Sequence, residues 1–240
     1  MNKNFLRKSV LWILFFVTLV LSIAALFDAK LIDFDFLLKK KLVIDRMVKC
    51  FPFSSENSLK EWEEKILKGR VVYRIEKGDE ISYVSANSQK TASALYYKIK
   101  LDISKNPVIS WKWRVDKFPA KIGPEKISGK KEEDFAARVY VMFPAAFFTN
   151  SKVIEYIWSE KIPAGSFDRS GYSKNIMVMV LQQGKASDWS FEKRNIYNDY
   201  VEMFGEKPKL NVGAIAFMTD ADSTKTDAIA VYDEITIGYE

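Results

Sequence analysis

The stretch ISWKWRVDKFP, residues 109–119, alternates apolar and polar side chains and sets two tryptophans two positions apart. Successive residues of a β-strand point to opposite faces. Ile109, Trp111, Trp113 and Val115 therefore share one face, and Ser110, Lys112, Arg114 and Asp116 share the other. Two exposed tryptophans would make a sugar platform, whereas tryptophans in phase with aliphatic residues read as core. Ile109 and Val115 decide for the core, and the search for a ligand moves to the polar face that carries Arg114. The stretch 135–143 repeats the pattern, with Phe135, Ala137, Val139, Val141 and Phe143 on a core face and Arg138 and Tyr140 on the other.

Working outward, short strands are expected over 71–76, 81–86, 94–101, 108–115, 153–158, 176–181, 212–218 and 228–237. They are separated by turn-forming stretches such as Lys77-Gly78-Asp79, Asn87-Ser88-Gln89 and Asn106-Pro107. Residues 176–181 are continuously apolar, the mark of a strand buried on both faces. A helical turn is expected early in 58–70. The one convincing helix is NIYNDYVEMFG, 195–205, with Gly205 as its stop. Many short strands and one short helix predict a mainly β chain, an antiparallel β-sandwich over residues 54–240.

The chain has 240 residues and a formal charge of +6. Residues 1–50 hold nine Lys and Arg against four acids, so residues 51–240 are left with a net charge of only +1. A near-neutral domain lacks the electrostatic footprint of nucleic-acid binding, and no nucleic-acid partner is expected. The basic stretch KIGPEKISGKK, 121–131, is punctuated by Gly and Pro, and reads as a solvated loop. The sequence has no histidine and a single cysteine, Cys50. Ser-His-Asp and Cys-His nucleophiles, His-ligated zinc, thiolate clusters and intrachain disulfides are thereby excluded.

Residues 10–27, VLWILFFVTLVLSIAALF, carry no charge and follow Lys3, Arg7 and Lys8. A leading apolar run of this length reads as an uncleaved signal anchor, a transmembrane helix within residues 1–28. Ser22-Ile23-Ala24 offers small residues for cleavage, which would make the protein secreted, but lies inside the apolar run. The basic residues before the run favour N-in, with the domain facing the periplasm or exterior of a bacterial inner membrane. Residues 29–53 are expected to be a juxtamembrane linker.

The segments ISWKWRVDKFP, EEDFAARVYVMF, DWSFEKRNIYNDYVEMFGEKP and GAIAFMTDADSTKTDAIAVYDEITIG, with the opening SLKEWEEKILKGRVVYRI, resemble the bacterial family called domain of unknown function 3047. The resemblance covers 54–240 and implies a secreted or membrane-anchored protein with no known activity. The closing AIAVYDEITIG is also similar to the last strand of galactose-binding-like jelly rolls, to which many carbohydrate-binding modules belong; this is analogy of fold.

Several residues are candidates for chemistry. The loop QQGKASDWSFEKRN, 182–195, gathers Gln182, Asp188, Trp189, Arg194 and Asn195, and sugar sites combine such planar polar groups with an aromatic face. Arg114, Arg138 and Tyr140 complete the candidate ligand set. In TDADSTKTDA, 219–228, Asp220, Asp222 and Thr224 mimic the start of a calcium loop, but Lys225 and Val231 stand where an EF-hand needs Gly and Glu. A hairpin turn is the plainer reading, with a structural calcium as the alternative and no other cofactor expected. Asp233 shares strand phase with Ile229, Val231, Ile235 and Ile237, so it points inward and needs an Arg or cation unless a bulge re-aims it. Catalysis by a carboxylate pair has Asp134, Asp188, Asp220 and Asp222 as its candidates. Three functions follow: non-catalytic saccharide binding, a carboxylate-based glycan hydrolase, and an interaction module of an envelope complex.

Overall fold

The computed structural model describes residues 44–78, 81–129, 134–147 and 150–240. The chain divides into the units Met1–Leu42 and Val43–Glu240, and everything described belongs to the second. The expected span at 10–27 lies outside the described residues. Among those described, no helix is long and apolar enough to cross a membrane.

Trp111 and Trp113 are fully buried, their rings edge-to-face at 5.3 Å, as phase with Ile109 and Val115 predicts. They belong to Pro107–Lys117, the sixth strand (β6). The others are β1 (Arg46–Phe51), β2 (Glu63–Lys68), β3 (Val72–Lys77), β4 (Ser82–Gln89), β5 (Ala92–Leu101), β7 (Ala137–Phe143), β8 (Lys152–Ser159), β9 (Phe167–Arg169), β10 (Ile176–Gln183), β11 (Ser190–Asn195), β12 (Val212–Asp220) and β13 (Asp227–Tyr239). The first sheet runs β11-β6-β13-β4-β3, with β1 also pairing β13; the second runs β2-β5-β12-β7-β8-β10-β9. Alternate residues of both sheets meet in one core, with Trp111, Trp113 and Tyr232 from the first and Val139, Tyr156, Trp158 and Phe217 from the second.

Several features depart from the sequence expectations, among them the stretch 121–131, expected as a solvated loop, which buries the side chains of Lys121, Glu125 and Ile127. The sheets are not all antiparallel, because β8 and β10 pair in parallel. The linker expected at 29–53 contributes a strand: Arg46–Phe51 pairs with the end of β13, and Phe51 and Phe53 are core residues. Half of the loop expected at 182–195 is strand β11, paired to β6. In 58–70, one helical turn ends at Glu61 and the chain continues as β2.

The two outer faces differ. Phe135 leaves the phase of β7 and packs with Ile127 against Ile157, Val178 and Val180 on the outer face of the second sheet. The segments on either side of residues 130–133 therefore cover that face, and this burial explains the unbroken apolar run of β10. A side-chain ion pair, Lys121 to Glu125, fastens the cover; Glu125 also accepts the Ser159 hydroxyl. Burial lowers the Lys121 pKa, whereas Glu125 is held below its usual value because its bonds to Lys121, Ser159 and Lys161 outweigh burial. The one α-helix among the described residues, α1 (Ile196–Phe204), is capped by the Asn195 side chain, which accepts from the Asn198 amide at 3.0 Å, and stops at Gly205 with φ +69°.

Candidate functional site

The outer face of the first sheet carries the polar side of β6. Ser190 of β11 lies opposite Trp113, so the preceding residue, Trp189, comes alongside Arg114. The Arg114 guanidinium sits 5.4 Å over the Trp189 ring, and the Tyr83 ring meets that indole edge-on at 5.4 Å. Arg114 donates through Nε to Asp116 Oδ1 at 2.6 Å and through Nη2 to Oδ2 at 3.2 Å. Those bonds raise its pKa. Beside them opens a cleft of about 330 Å³, walled by Arg114, Val115, Asp116 and Phe118 on one side and by Lys185, Ala186 and Ser187 on the other. Gly184 makes the second wall possible: it turns at φ +74°, a region that favours glycine. Its N–H donates to the Ser159 carbonyl at 2.9 Å, and its carbonyl accepts from the Trp158 indole at 2.8 Å. Asp188 is exposed on the same loop, and Phe191 is exposed on β11.

Gln182, Arg194 and Asn195 lie elsewhere, on the ends and inner side of β10 and β11. Gln182 donates to Glu192 Oε1 at 2.7 Å, and the Trp113 indole donates to the same oxygen at 3.2 Å. Burial raises the Glu192 pKa. Arg194 grips Asp199, which also accepts the Tyr156 hydroxyl at 2.6 Å. Burial opposes the Arg194 charge, but the bonds to Asp199 outweigh it and raise the pKa. Asn195 caps the helix and donates to Glu240 at 3.3 Å. These groups answer one another and hold the end of the sandwich together. Glu192, which the sequence reading passed over, becomes visible only once 190–195 is taken as a strand with alternating faces.

Arg138 and Tyr140 belong to the other sheet and the covered face, so they do not adjoin Arg114 or Asp188. Buried Arg138 donates to Glu155 at 2.8 Å and to the Tyr140 hydroxyl at 3.2 Å, and pairs with Asp220 at 3.2 Å. Burial pushes Asp220 up to about 7 against the pull of Arg138, with Asp134 adding to the rise. Asp220 accepts the Phe135 amide at 3.0 Å, and Asp134 accepts the amides of Ser223 and Thr224 at 3.2 and 2.6 Å. Asp134, Asp220 and Asp222 offer oxygens within 4.8 Å of one another, the spacing of a cation site. Each already has a protein partner, since Asp222 pairs with Lys68 at 3.2 Å. Of the three, Asp220 alone pairs with Arg138.

Asp233 is not part of that group. A bulge at Glu234, with φ +49° and a register shift after Asp233, turns the carboxylate to the outer face of the first sheet, opposite Lys112. It is nonetheless 2% exposed, and Oδ1 has no hydrogen-bond partner among the described residues. Burial pushes it up to about 6. The expected inward position with an Arg or metal partner is thus corrected: the bulge moves the side chain across the sheet, and Lys112 bonds instead to Glu234 at 2.8 Å.

No curated protein matches the chain. Solved structures similar to it include two modules from Clostridium thermocellum. One is the family 11 carbohydrate-binding module of the cellulosomal cellulase Lic26A-Cel5E, with TM-score 0.39 and 11% identity, covering 75% of this chain and 88% of that one. The other is the family 30 module of Cel9D-Cel44B, with TM-score 0.42 and 9% identity over 75% and 92%. The xyloglucanase domain of NopAA from Sinorhizobium fredii gives 0.42 and 11% over 75% and 93%. Scores this low decide nothing about ligand or chemistry. Residues 60–236 match the family model described as protein of unknown function (DUF3047), and the chain belongs to that family.

Proposed function

We propose that the domain is a non-catalytic saccharide-binding module whose site is the cleft beside Arg114 and Trp189. The observation that carries this reading is an open cleft walled in part by Arg114, whose guanidinium lies over the half-buried Trp189 ring with Tyr83 edge-on to it. An aromatic surface next to a rigid planar donor suits a sugar ring, which offers an apolar face and a rim of hydroxyls. Hydrolysis has less support. Asp134 and Asp220 are buried on the opposite sheet, leaving Asp188 as the one exposed acid of the four candidates beside the cleft. A glycosidase needs two carboxyl groups flanking the scissile bond. Residues 10–27 add the further proposal that the module is held at a bacterial inner membrane and faces the periplasm or exterior.

Screening the full chain on a glycan array tests the function. The expected result is retention on a defined subset of glycans, lost in Trp189→Ala; binding to none would remove the saccharide reading.

A further inference from the structure

The two walls of the cleft each carry a cation, Arg114 on one and Lys185 on the other, with Asp116 bonded to Arg114 and Asp188 next along the loop from Ser187. Asp116 holds Arg114 along its Nε–Nη2 edge. A guanidinium carries five N–H donors in a flat fork, and its Nη1–Nη2 end can take a second carboxylate side-on. That end has no carboxylate partner among the described residues. The Trp189 ring lies beneath the guanidinium, Asp116 fixes its rotation and Tyr83 adds a side-chain hydrogen bond, so the guanidinium is pre-oriented. Lys185, on the facing wall, also has no carboxylate partner among the described residues. Of the residues that wall the cleft, two are cations and one, Asp116, is an acid already bonded to Arg114. A neutral sugar would leave Lys185 without a complement in the cleft.

We propose that the cleft takes an acidic saccharide, with the carboxylate of a uronic-acid unit on Arg114 and Lys185 and its ring against Trp189. This rests on the saccharide reading and narrows it to acidic sugars.

The test titrates the full chain with galacturonate and glucuronate oligosaccharides and with their methyl esters, which keep the ring and lose the charge. At least one acid form should bind about tenfold or more tightly than its ester. The advantage should shrink as salt rises from about 50 to about 300 mM. Lys185→Gln should weaken the acid form about three- to tenfold and leave the ester unchanged, and Lys185→Arg should restore the difference. Equal binding of acid and ester, or binding of neutral glycans alone, overturns the acidic preference and leaves the saccharide reading intact. Failure of every acidic and neutral glycan overturns both.

Discussion

Asp233 holds a buried carboxylate oxygen with no donor among the described residues, and that arrangement costs stability whenever the group is ionised. Its carboxyl is pushed up to about 6 from an ordinary 3.8. Between these values the folded protein keeps a proton that the unfolded chain has released. The group therefore contributes its full stability below about pH 4, and the contribution is lost as pH rises through about 6. Asp233→Asn should raise stability by about 1–3 kcal/mol at pH 8 and change little near pH 4. Urea titrations at the two pH values check this; equal shifts at both would refute the assignment. The residue also shows where sequence phase fails. Alternation places Asp233 with Ile235 and Ile237, and one residue of left-handed backbone at Glu234 reverses its face. Trp111 and Trp113, by contrast, were legible, because no irregularity separates them from Ile109 and Val115.

Among the elements, strands with alternating apolar residues were readable, and those without were not. β1, β2 and β11 carry mixed or mainly polar sequences, and their order comes from backbone pairing to β13, β5 and β6. The candidate site was legible in part. Arg114 and Trp189 do converge, but Arg138 sits on the far face, because sequence phase assigns a residue to a face and not a strand to a sheet. The place of β1 is tested at Gly238, where an added Cβ would lie 2.3 Å from the Arg46 carbonyl oxygen. Gly238→Ala should cost about 1–3 kcal/mol and release the amides of Arg46–Phe51 to hydrogen exchange ahead of the rest of the sheet. Unchanged protection there would contradict the β1–β13 pairing. On the covered face, Arg138→Met removes the cation shared by Glu155 and Asp220 and should cost about 3–5 kcal/mol at pH 8. The loss should be smaller near pH 5.5, where Asp220 takes up a proton, and chemical denaturation at both pH values measures it.

At the scale of the whole domain, the two sheets divide the work. The second closes its outer face beneath Ile127 and Phe135 over a charged cluster that needs a cover. The first buries Val231 and Asp233 on its outer face and carries the cleft walled by Arg114 at one side. Membrane fractionation of the full chain tests the proposed location: with the anchor it should stay with carbonate-washed membranes, and removal of residues 1–28 should release it. The central claim, that the cleft binds saccharide through Trp189, is tested most directly by calorimetric titration of the full chain and its Trp189→Ala variant with the best glycan from the array. The account predicts at least a tenfold loss of affinity at an unchanged melting temperature. Unaltered affinity in a folded variant, or no measurable heat from the wild type with any glycan, would contradict it.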